Sequence, residues 1–557
     1  MRIKKLGQGN VGMVGTNPDE FDYVIVGAGP AGCVLANRLT EDPAVSVCLL
    51  EAGPRDTDPM IRIPGGVIKI LFNPRITWQF HTEPSPGSAD RAVYVPQGRT
   101  LGGSSAINGM IYNRGHATDF DAWAQAGNPG WSYADILPYF KRSERRIGGV
   151  DSQYRGRDGL LPVTDTDWRK PFVEAFIDGV AALGIPRNPD YNGASQAGVG
   201  YMQRLIENGW RVSSARAFLR PATRRGNLDV RVGAHASRIL LEGKRAVGVA
   251  YLPVGNASVQ HTVRARREVI VCAGPLNSPK LMHLSGIGPA GVLGDLGIEV
   301  LHELPGVGEN LHDHYGARGV ARVRNSKTAN DLSRWPYLGW EILKWLTGRP
   351  SIVGLSASIA YVFWKSDEVL DRPDLQFVLT PISFKTGQFG VLEDFPGMSL
   401  GVWPHRPQSR GYVRARSSNP FDPPVIQPNY LSSSVDQRVL VAGLKMVRKF
   451  LATPQLSYFI EREEVPGPKV VTDDEFLDFA RRNGSTIYHF AGSNRMGPEH
   501  DGMAVVSPDL KVRGLAALRV VDSSVIPSLP SANSYATTLM IAEKAADMIK
   551  AGPSGRS

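Results

Sequence analysis

The stretch Asp22-Tyr-Val-Ile-Val-Gly27-Ala-Gly29-Pro-Ala-Gly32 decides the fold of this chain. An apolar run enters a G-x-G-x-x-G turn, a helix-compatible stretch follows, and a second apolar run ends at Glu51, 19 residues after Gly32. Gly27 permits a tight turn, Gly29 lets the backbone approach a pyrophosphate, and Gly32 lets the helix pack closely on the strand. Glu51 can accept hydrogen bonds from a ribose diol, and the helix N-terminus favours phosphate charge. The pattern predicts dinucleotide binding, with a glycine-rich turn in an ordinary parallel sheet as the competing interpretation.

Bulk composition is typical of a water-soluble globular enzyme. The chain has 557 residues, of which 42% are hydrophobic and 21% charged, so two domains or one large composite unit are expected. The formal net charge is +10, but the basic residues are scattered along the sequence. A solvated basic face is therefore favoured over nucleic-acid binding.

Cysteine usage and targeting signals indicate a cytoplasmic protein. Cys33, Cys48 and Cys272 lie in apolar contexts without a C-x-x-C pair, which predicts buried free thiols in a reducing compartment. No apolar run reaches 18 residues, so no integral membrane segment is expected, although peripheral membrane association stays open. Residues 1–19 contain no apolar core of a secretory signal and are predicted to form an N-terminal arm. No metal site is predicted.

Similar segments at the start, middle and end of the chain indicate one discontinuous domain. Strands are predicted over 22–26, 45–50, 228–232, 247–251, 268–272 and 518–522, and helices over 31–41, 277–284 and 534–550. Residues 60–95 are predicted as extended cover, while residues 311–465 suit an antiparallel sheet with helices on one side. We predict an α/β protein (α+β overall) with a Rossmann-like cofactor domain over 20–165, 215–310 and 480–557. A substrate domain with a mainly antiparallel sheet flanked by helices takes 166–214 and 311–479.

A second segment with chemical potential is Gly98-Arg99-Thr-Leu101-Gly102-Gly103-Ser104-Ser105-Ala-Ile-Asn108. Its adjacent glycines and serines supply backbone N–H groups and small hydroxyls, which can wrap a flat or phosphorylated ligand. A tight turn between two elements is the structural alternative.

With Tyr112, Gly115 and Asp121, this segment resembles the first signature of the glucose-methanol-choline (GMC) family of flavin oxidoreductases. The run Gly274-Pro275-x2-Ser278-Pro279-x-Leu281-Met282-x2-Ser285-Gly286-Ile287-Gly288 resembles the second signature at every position. Val307-Gly308-Glu-Asn310-Leu311-His-Asp313-His314 and the segment from Met540 to Asp547 resemble further family segments. The resemblance covers the chain from about residue 20 to 550.

The resemblance implies FAD as the cofactor rather than a nicotinamide. The glycine fingerprint would hold the ADP half, the backbone of Ala236 would contact adenine, and Asp522 would lie near the ribityl chain. Some relatives attach FAD through a histidine in the 101–108 loop. Because Ile107 occupies that place here, we predict non-covalent FAD. The predicted cofactor-binding residues are Gly27, Gly29, Pro30, Ala31, Gly32, Glu51, Ala52, Arg99, Leu101, Gly102, Gly103, Ser104, Ser105, Asn108, Gly109, Met110, Ile111, Ala236, Ala273, Gly274, Ser278, Asp522, Ser523 and Ser534.

The resemblance also implies a catalytic pair near the C-terminus. The run Tyr488-His489-Phe490-Ala-Gly492 resembles the family's active-site histidine segment, and the run ending at Asn533 resembles the segment that supplies its partner. Alcohol oxidation needs loss of the hydroxyl proton and transfer of a hydride to flavin N5. Imidazole titrates near neutrality, so His489 can accept the proton, and the amide of Asn533 can donate to the substrate oxygen. The structural alternatives are a satisfied buried histidine and an N-cap of the last helix.

We therefore predict FAD-dependent oxidation of a small primary alcohol to the aldehyde, or onward to the acid, with the electron acceptor left open. Family members often carry Pro where Phe490 stands, and a cage of Trp78, Trp403 and Phe490 would suit an aromatic or quaternary-ammonium alcohol. Tryptophans at such places are more often core. The competing functions are a hydroxynitrile lyase or photodecarboxylase of the same fold, an NAD-dependent dehydrogenase, and a non-catalytic flavin-binding protein.

Overall fold

The computed structural model describes residues 19–149, 151–255, 258–385 and 390–552. The predicted N-terminal arm lies outside the described residues except for Asp19. Among the described residues, no helix is long and apolar enough to cross a bilayer. All three cysteines are buried and unpaired, as predicted.

The first sheet is built around the opening fingerprint. Asp19–Val26 pairs in parallel with Val47–Glu51 on one side and with His261–Val271 on the other. Residues 23–26, 47–50 and 269–271 are apolar and buried, as expected when both faces of a parallel sheet are covered, whereas Asp19 and Glu20 are exposed. In order across the sheet, the strands are Leu228–Val232, Val47–Glu51, Asp19–Val26, His261–Val271, Arg245–Pro253 and Ala234–Glu242, with Leu518–Val520 also paired to His261–Val271.

The second sheet is antiparallel, which confirms the predicted contrast between the two sheets. The helix Ser434–Leu451 packs on its central strands, and a separate apolar core fills the space between them. Its strand order is Ile460–Val465, Tyr315–Val323, Gly397–Pro404, Leu375–Thr380, Ala360–Trp364 and Gly198–Tyr201, with Ser485–Thr486 also paired to Tyr315–Val323. The mixed α/β fold class is thus confirmed, while the exact domain boundaries stay a prediction.

The helices carry conventional start signals. Ser132, Thr328 and Thr472 each form a capping box with the acid three residues later. In the first-sheet region, Pro30–Leu39 packs against Ser534–Lys550. The longer helices are Pro30–Leu39, Ala117–Gln125, Tyr133–Ser143, Pro171–Ala182, Asn277–Leu284, Tyr337–Leu346, Ser434–Leu451, Asp473–Asn483 and Ser534–Lys550. Shorter ones span Pro59–Arg62, Val67–Ile70, Arg220–Ala222, Ala290–Asp295, Ala329–Leu332 and Pro454–Ser457.

The expectation of extended cover over 60–95 is wrong for its first part, which contains the short helices Pro59–Arg62 and Val67–Ile70. The Asp58 side chain accepts a hydrogen bond from the Met60 N–H at 2.9 Å, and Pro59 stands at the first helical position. This N-cap and proline combination starts a helix. The later part is extended, since Thr77–His81 pairs with Tyr94–Gly98.

Four further small sheets complete the described part of the chain. The pairs are Tyr412–Arg414 with Val425–Gln427, Ile206–Glu207 with Trp210–Arg211, and Ile287–Gly288 with His302–Glu303. Glu144–Arg146, Leu161–Asp165 and Gln203–Arg204 form the fourth.

Candidate active site

A cavity of about 970 Å³ is lined by residues from both large sheets. Val26 and Ala236 line it from the first sheet, and Val378, Gly401 and Trp403 line it from the second. Substrate and cofactor sites commonly lie between such packed units. The cavity therefore holds the candidate site.

The three glycines of the opening fingerprint have the geometry expected of them. Gly27 has φ +102°, a left-handed conformation that favours glycine. A Cβ on Gly32 would lie 1.9 Å from the carbonyl oxygen of Gly27, so only glycine lets the helix approach the turn this closely. A Cβ on Gly29 would have one neighbour within 4 Å, the Cys272 carbonyl oxygen at 3.9 Å, because this backbone faces the open cavity.

Glu51 lies at the end of its strand on the cavity wall. Its carboxylate accepts hydrogen bonds from the Ala28 N–H at 3.0 Å and the Gly53 N–H at 2.8 Å. Burial raises the pKa of Glu51 to about 7, against the opposing effect of these two donors and of Arg99. The carboxyl group is thus held rigidly at the position where the fingerprint expects a ribose contact.

Asp522 holds the second glycine turn in place. Its carboxylate accepts hydrogen bonds from the Gly274 N–H at 2.9 Å, the Ser278 hydroxyl at 2.6 Å and the Ser524 N–H at 2.8 Å. Gly274 has φ +86°, and a Cβ there would meet no atom within 4 Å, so this turn also presents bare backbone to open space. Two glycine turns that expose backbone to one cavity, which residues of the 103–111 loop also line, fit a dinucleotide such as FAD.

Most predicted cofactor residues line the cavity, and five do not. Gly32, Arg99, Leu101, Gly102 and Ser278 stand behind the wall, where Gly32 and Ser278 make the contacts described above. Gly102 has φ +92° and donates its N–H to the Ala28 carbonyl at 2.8 Å. Ala236 belongs to the strand Ala234–Glu242, which begins directly after Gly233. The residues on the wall are Gly27, Gly29, Pro30, Ala31, Glu51, Ala52, Gly103, Ser104, Ser105, Asn108, Gly109, Met110, Ile111, Ala236, Ala273, Gly274, Asp522, Ser523 and Ser534.

The predicted catalytic pair is in direct contact on the cavity wall. The Asn533 Nδ2 lies 2.8 Å from the His489 Nε2. Asn533 occupies the N-cap position of the last helix, yet its side chain makes no capping hydrogen bond. The amide is directed to the histidine instead, and its Oδ1 has no partner among the described residues.

A second histidine, His314, determines which nitrogen of His489 carries the proton. The His314 Nε2 lies 2.7 Å from the His405 carbonyl oxygen, which can only accept, so this Nε2 is protonated. Burial lowers the pKa of His314 to about 4, so its ring is neutral and its Nδ1 is an acceptor. The His489 Nδ1, 2.8 Å away, must then donate. The His489 Nε2 then carries no proton, and its lone pair accepts a hydrogen bond from the Asn533 Nδ2.

Burial, followed by the neighbouring His314, lowers the pKa of His489 well below its usual value. At neutral pH this imidazole is therefore uncharged and able to accept a proton. His489 thus places a neutral imidazole on the cavity wall.

Asp313 anchors the backbone that carries His489. It accepts hydrogen bonds from the His489 N–H at 2.7 Å, the Tyr430 hydroxyl at 2.7 Å and the Thr486 hydroxyl. Burial raises the pKa of Asp313 to about 6, although these donors oppose the shift. The preceding residue, Tyr488, has φ +65°, an uncommon conformation for a bulky residue that is often found beside functional groups.

The three predicted cage residues line the cavity but do not face one another as a set. Trp78 and Phe490 belong to one apolar cluster, whereas Trp403 belongs to another and lies 6.3 Å from the His489 ring. The Arg99 guanidinium sits 4.7 Å over the Trp78 ring. One face of that ring is thus already covered by a cation.

The predicted sites omitted several residues that the structure places here. His314 and Asp313 belong to the quoted motif at 307–314, but nothing in their local pattern indicated contact with His489. His314 and His489 are 175 positions apart in the sequence. The apolar wall between 338 and 392 was likewise not predicted. Its only sequence signal is a run of hydrophobic residues, which an ordinary core would also show.

Comparison with known proteins identifies the family. The N-terminal and C-terminal parts of the GMC oxidoreductase family match residues 21–316 and 407–542. An alcohol dehydrogenase (acceptor) of Pseudomonas putida is 41% identical over 531 residues, 95% of this chain and 95% of that protein. Mitochondrial choline dehydrogenase of Homo sapiens is 41% identical over 546 residues, 96% of this chain and 90% of that protein.

Solved structures agree with this assignment. Pyridoxine 4-oxidase from Mesorbium loti superposes with a TM-score of 0.86 at 31% identity, covering 96% of this chain and 99% of that one. A formate oxidase of Aspergillus oryzae, studied for FAD modification, gives a TM-score of 0.89 at 26% identity with the same coverage. The chain belongs to the GMC oxidoreductase family, as its motifs predicted. Within that family it is an FAD-dependent oxidoreductase that acts on CH–OH groups.

Proposed function

We propose that the protein oxidises a primary alcohol to the aldehyde, with His489 as the base and Asn533 as the group that positions the hydroxyl. The observation that carries this proposal is the hydrogen-bond chain from the His405 carbonyl through His314, which leaves the unprotonated Nε2 of His489 beside Asn533. The substrate hydroxyl takes the place of the Asn533 Nδ2 at this Nε2 and gives its proton to it, while the displaced Asn533 amide donates to the substrate oxygen. His489 and His314 are buried, so the contact between them acts in a medium of low dielectric constant.

FAD, when bound, supplies the acceptor for the hydride that leaves the carbinol carbon. The fingerprint turn, Glu51, the 103–111 loop and the Gly274 turn would hold it. Ile107 lines the cavity and offers no nucleophile, which supports non-covalent binding.

The charges of the cavity wall favour a neutral alcohol with an apolar substituent over a quaternary-ammonium alcohol. Among the described residues that line the cavity, the acids are Glu51 and Asp522, which both belong to the cofactor turns. The basic residues on the wall are Lys69, Lys280 and Arg318. A cationic substrate would meet no carboxylate outside those turns, whereas an apolar chain would contact Ile63, Val67, Ile68, Leu71, Leu338 and Ile342.

The test is anaerobic reduction of the bound flavin by a panel of alcohols: choline and aliphatic, benzylic and furanic primary alcohols. We expect bleaching by aliphatic or benzylic alcohols with kcat/KM at least about tenfold above choline, since choline leaves its charge unpaired. Bleaching by choline alone would refute the substrate class, and product formation without bleaching would indicate a lyase. Admitting oxygen afterwards separates an oxidase from a dehydrogenase.

The role of His489 is tested by His489→Ala. We expect loss of kcat by about 10²- to 10⁴-fold with the flavin spectrum retained, because a general base is removed. Added imidazole should restore part of the rate. The matched control is His283→Gln, which changes another fully buried histidine that does not line the cavity. Equal rates in both variants would contradict the assignment.

A further inference from the structure

The helix Tyr337–Leu346 exposes apolar side chains where a surface helix normally exposes polar ones. The solvent-accessible fractions are 55% for Trp340, 48% for Leu343 and 68% for Leu346. Trp335, just before the helix, is 75% exposed, and Tyr337 is 43% exposed. We call these five residues the 335–346 face. Contiguous exposed apolar residues of this size mark an interaction surface.

The opposite side of the same helix lines the cavity. Leu338, Ile342 and Trp345 contribute to the cavity wall. The helix is therefore apolar on both sides and forms a single layer between the cavity and the outside. Whatever covers the 335–346 face lies one helix diameter from the candidate active site.

Charge and residue type identify what covers this face. Between residues 332 and 350 the only acid is Glu341, which is fully buried and paired with Lys344 at 2.5 Å. Arg334 and Arg349 are exposed at the two ends of the segment, and Arg334 is paired with the exposed Asp394 at 3.4 Å. Exposed Trp and Tyr rings next to the cation Arg349, without an exposed acid inside the segment itself, match the chemistry of an anionic lipid surface.

We propose that the 335–346 face docks on the surface of an anionic phospholipid bilayer. The aromatic rings lie at the headgroup level and the leucines enter the acyl boundary, while Arg349 contacts headgroup phosphates. The net charge of +10 adds long-range attraction to the same surface. A second copy of the chain fits less well, because a two-fold interface on this face brings the same cations together.

The proposal is tested by sedimenting the flavin-loaded protein with vesicles of phosphatidylcholine alone or with about one third phosphatidylglycerol. The variant combines Trp340→Gln, Leu343→Gln and Leu346→Gln, since glutamine keeps helix propensity and none of the three lines the cavity. We expect binding to the anionic vesicles that weakens with salt and falls at least about tenfold in the variant.

The matched control combines Val369→Gln, Tyr458→Gln and Val471→Gln, which are 86%, 62% and 64% exposed on other elements. Its vesicle binding should equal that of the unchanged protein. Retained flavin absorbance and circular dichroism show that each variant is folded, independently of any alcohol turnover. The proposal is overturned if the unchanged protein does not sediment with anionic vesicles, or if the two variants bind equally. It is also overturned if the helix variant only converts a dimer into a monomer in ultracentrifugation.

Discussion

Replacing His314 by leucine should slow alcohol oxidation although His314 does not line the cavity. His314 is fully buried and joins the His405 carbonyl, at 2.7 Å, to the His489 Nδ1, at 2.8 Å. Leucine keeps an apolar volume but removes both hydrogen bonds. The His489 Nδ1–H then has no acceptor, so the ring gains by moving its proton to Nε2, where it can no longer act as the base.

The size of the effect follows from the lost hydrogen bonds. A buried polar group left unsatisfied costs about 1–3 kcal/mol. If the free-energy difference that favours the reactive tautomer of His489 falls by one such contribution, the population of that tautomer falls by about 5- to 150-fold. We expect kcat/KM to fall by that factor with little change in KM. The two unsatisfied groups should also lower the free energy of unfolding by about 2–6 kcal/mol.

The assay is anaerobic rapid mixing with the alcohol that bleaches the flavin best, followed at the flavin absorbance. His314→Gln is the matched variant, because its amide oxygen can accept from His489 and its amide nitrogen can donate to the His405 carbonyl. We expect it to recover part of the lost rate. The tautomer argument is refuted if His314→Leu retains kcat/KM within about twofold, or if the glutamine variant is no faster than the leucine variant.

Two further predictions concern the catalytic amide and the fingerprint turn. Asn533→Asp places a carboxylate against His489 and should raise the pKa of His489, so the acid limb of the kcat/KM–pH profile should move up by about one to three units. The unchanged protein should keep its rate to below pH 6.5, since burial lowers the pKa of His489 below that value. Identical pH profiles for the two proteins would contradict the contact between Asn533 and His489. Gly32→Ala should cost more than about 2 kcal/mol in thermal unfolding and release bound flavin, because its Cβ would lie 1.9 Å from the Gly27 carbonyl oxygen. Gly291→Ala, at an open helical position with no atom within 4 Å of the new Cβ, should be neutral or stabilising by up to about 1 kcal/mol. Equal losses of stability in the Gly32→Ala and Gly291→Ala variants would disprove the packing argument.

The sequence by itself determined the cofactor turn, the flanking strands and the family. The fingerprint spans 11 residues, and its function depends on local conformation, a left-handed φ at Gly27 and close approach at Gly32. The strands around it are continuous apolar runs, which burial on both faces requires. Boundaries within short irregular stretches were less predictable, since the helix that begins after Asp58 depends on one capping hydrogen bond.

Only the tertiary structure decided which nitrogen of His489 carries the proton and which side of the 337–346 helix faces the protein interior. His314 and His489 come together because Tyr315 pairs with Thr486 across the second sheet, and this register is not written in either segment alone. Likewise, the hydrophobic pattern of 337–346 suits a buried helix, yet packing turns Glu341 inward and Trp340 outward. Both features arise from contacts between residues far apart in the chain, and local periodicity carries no information about such contacts.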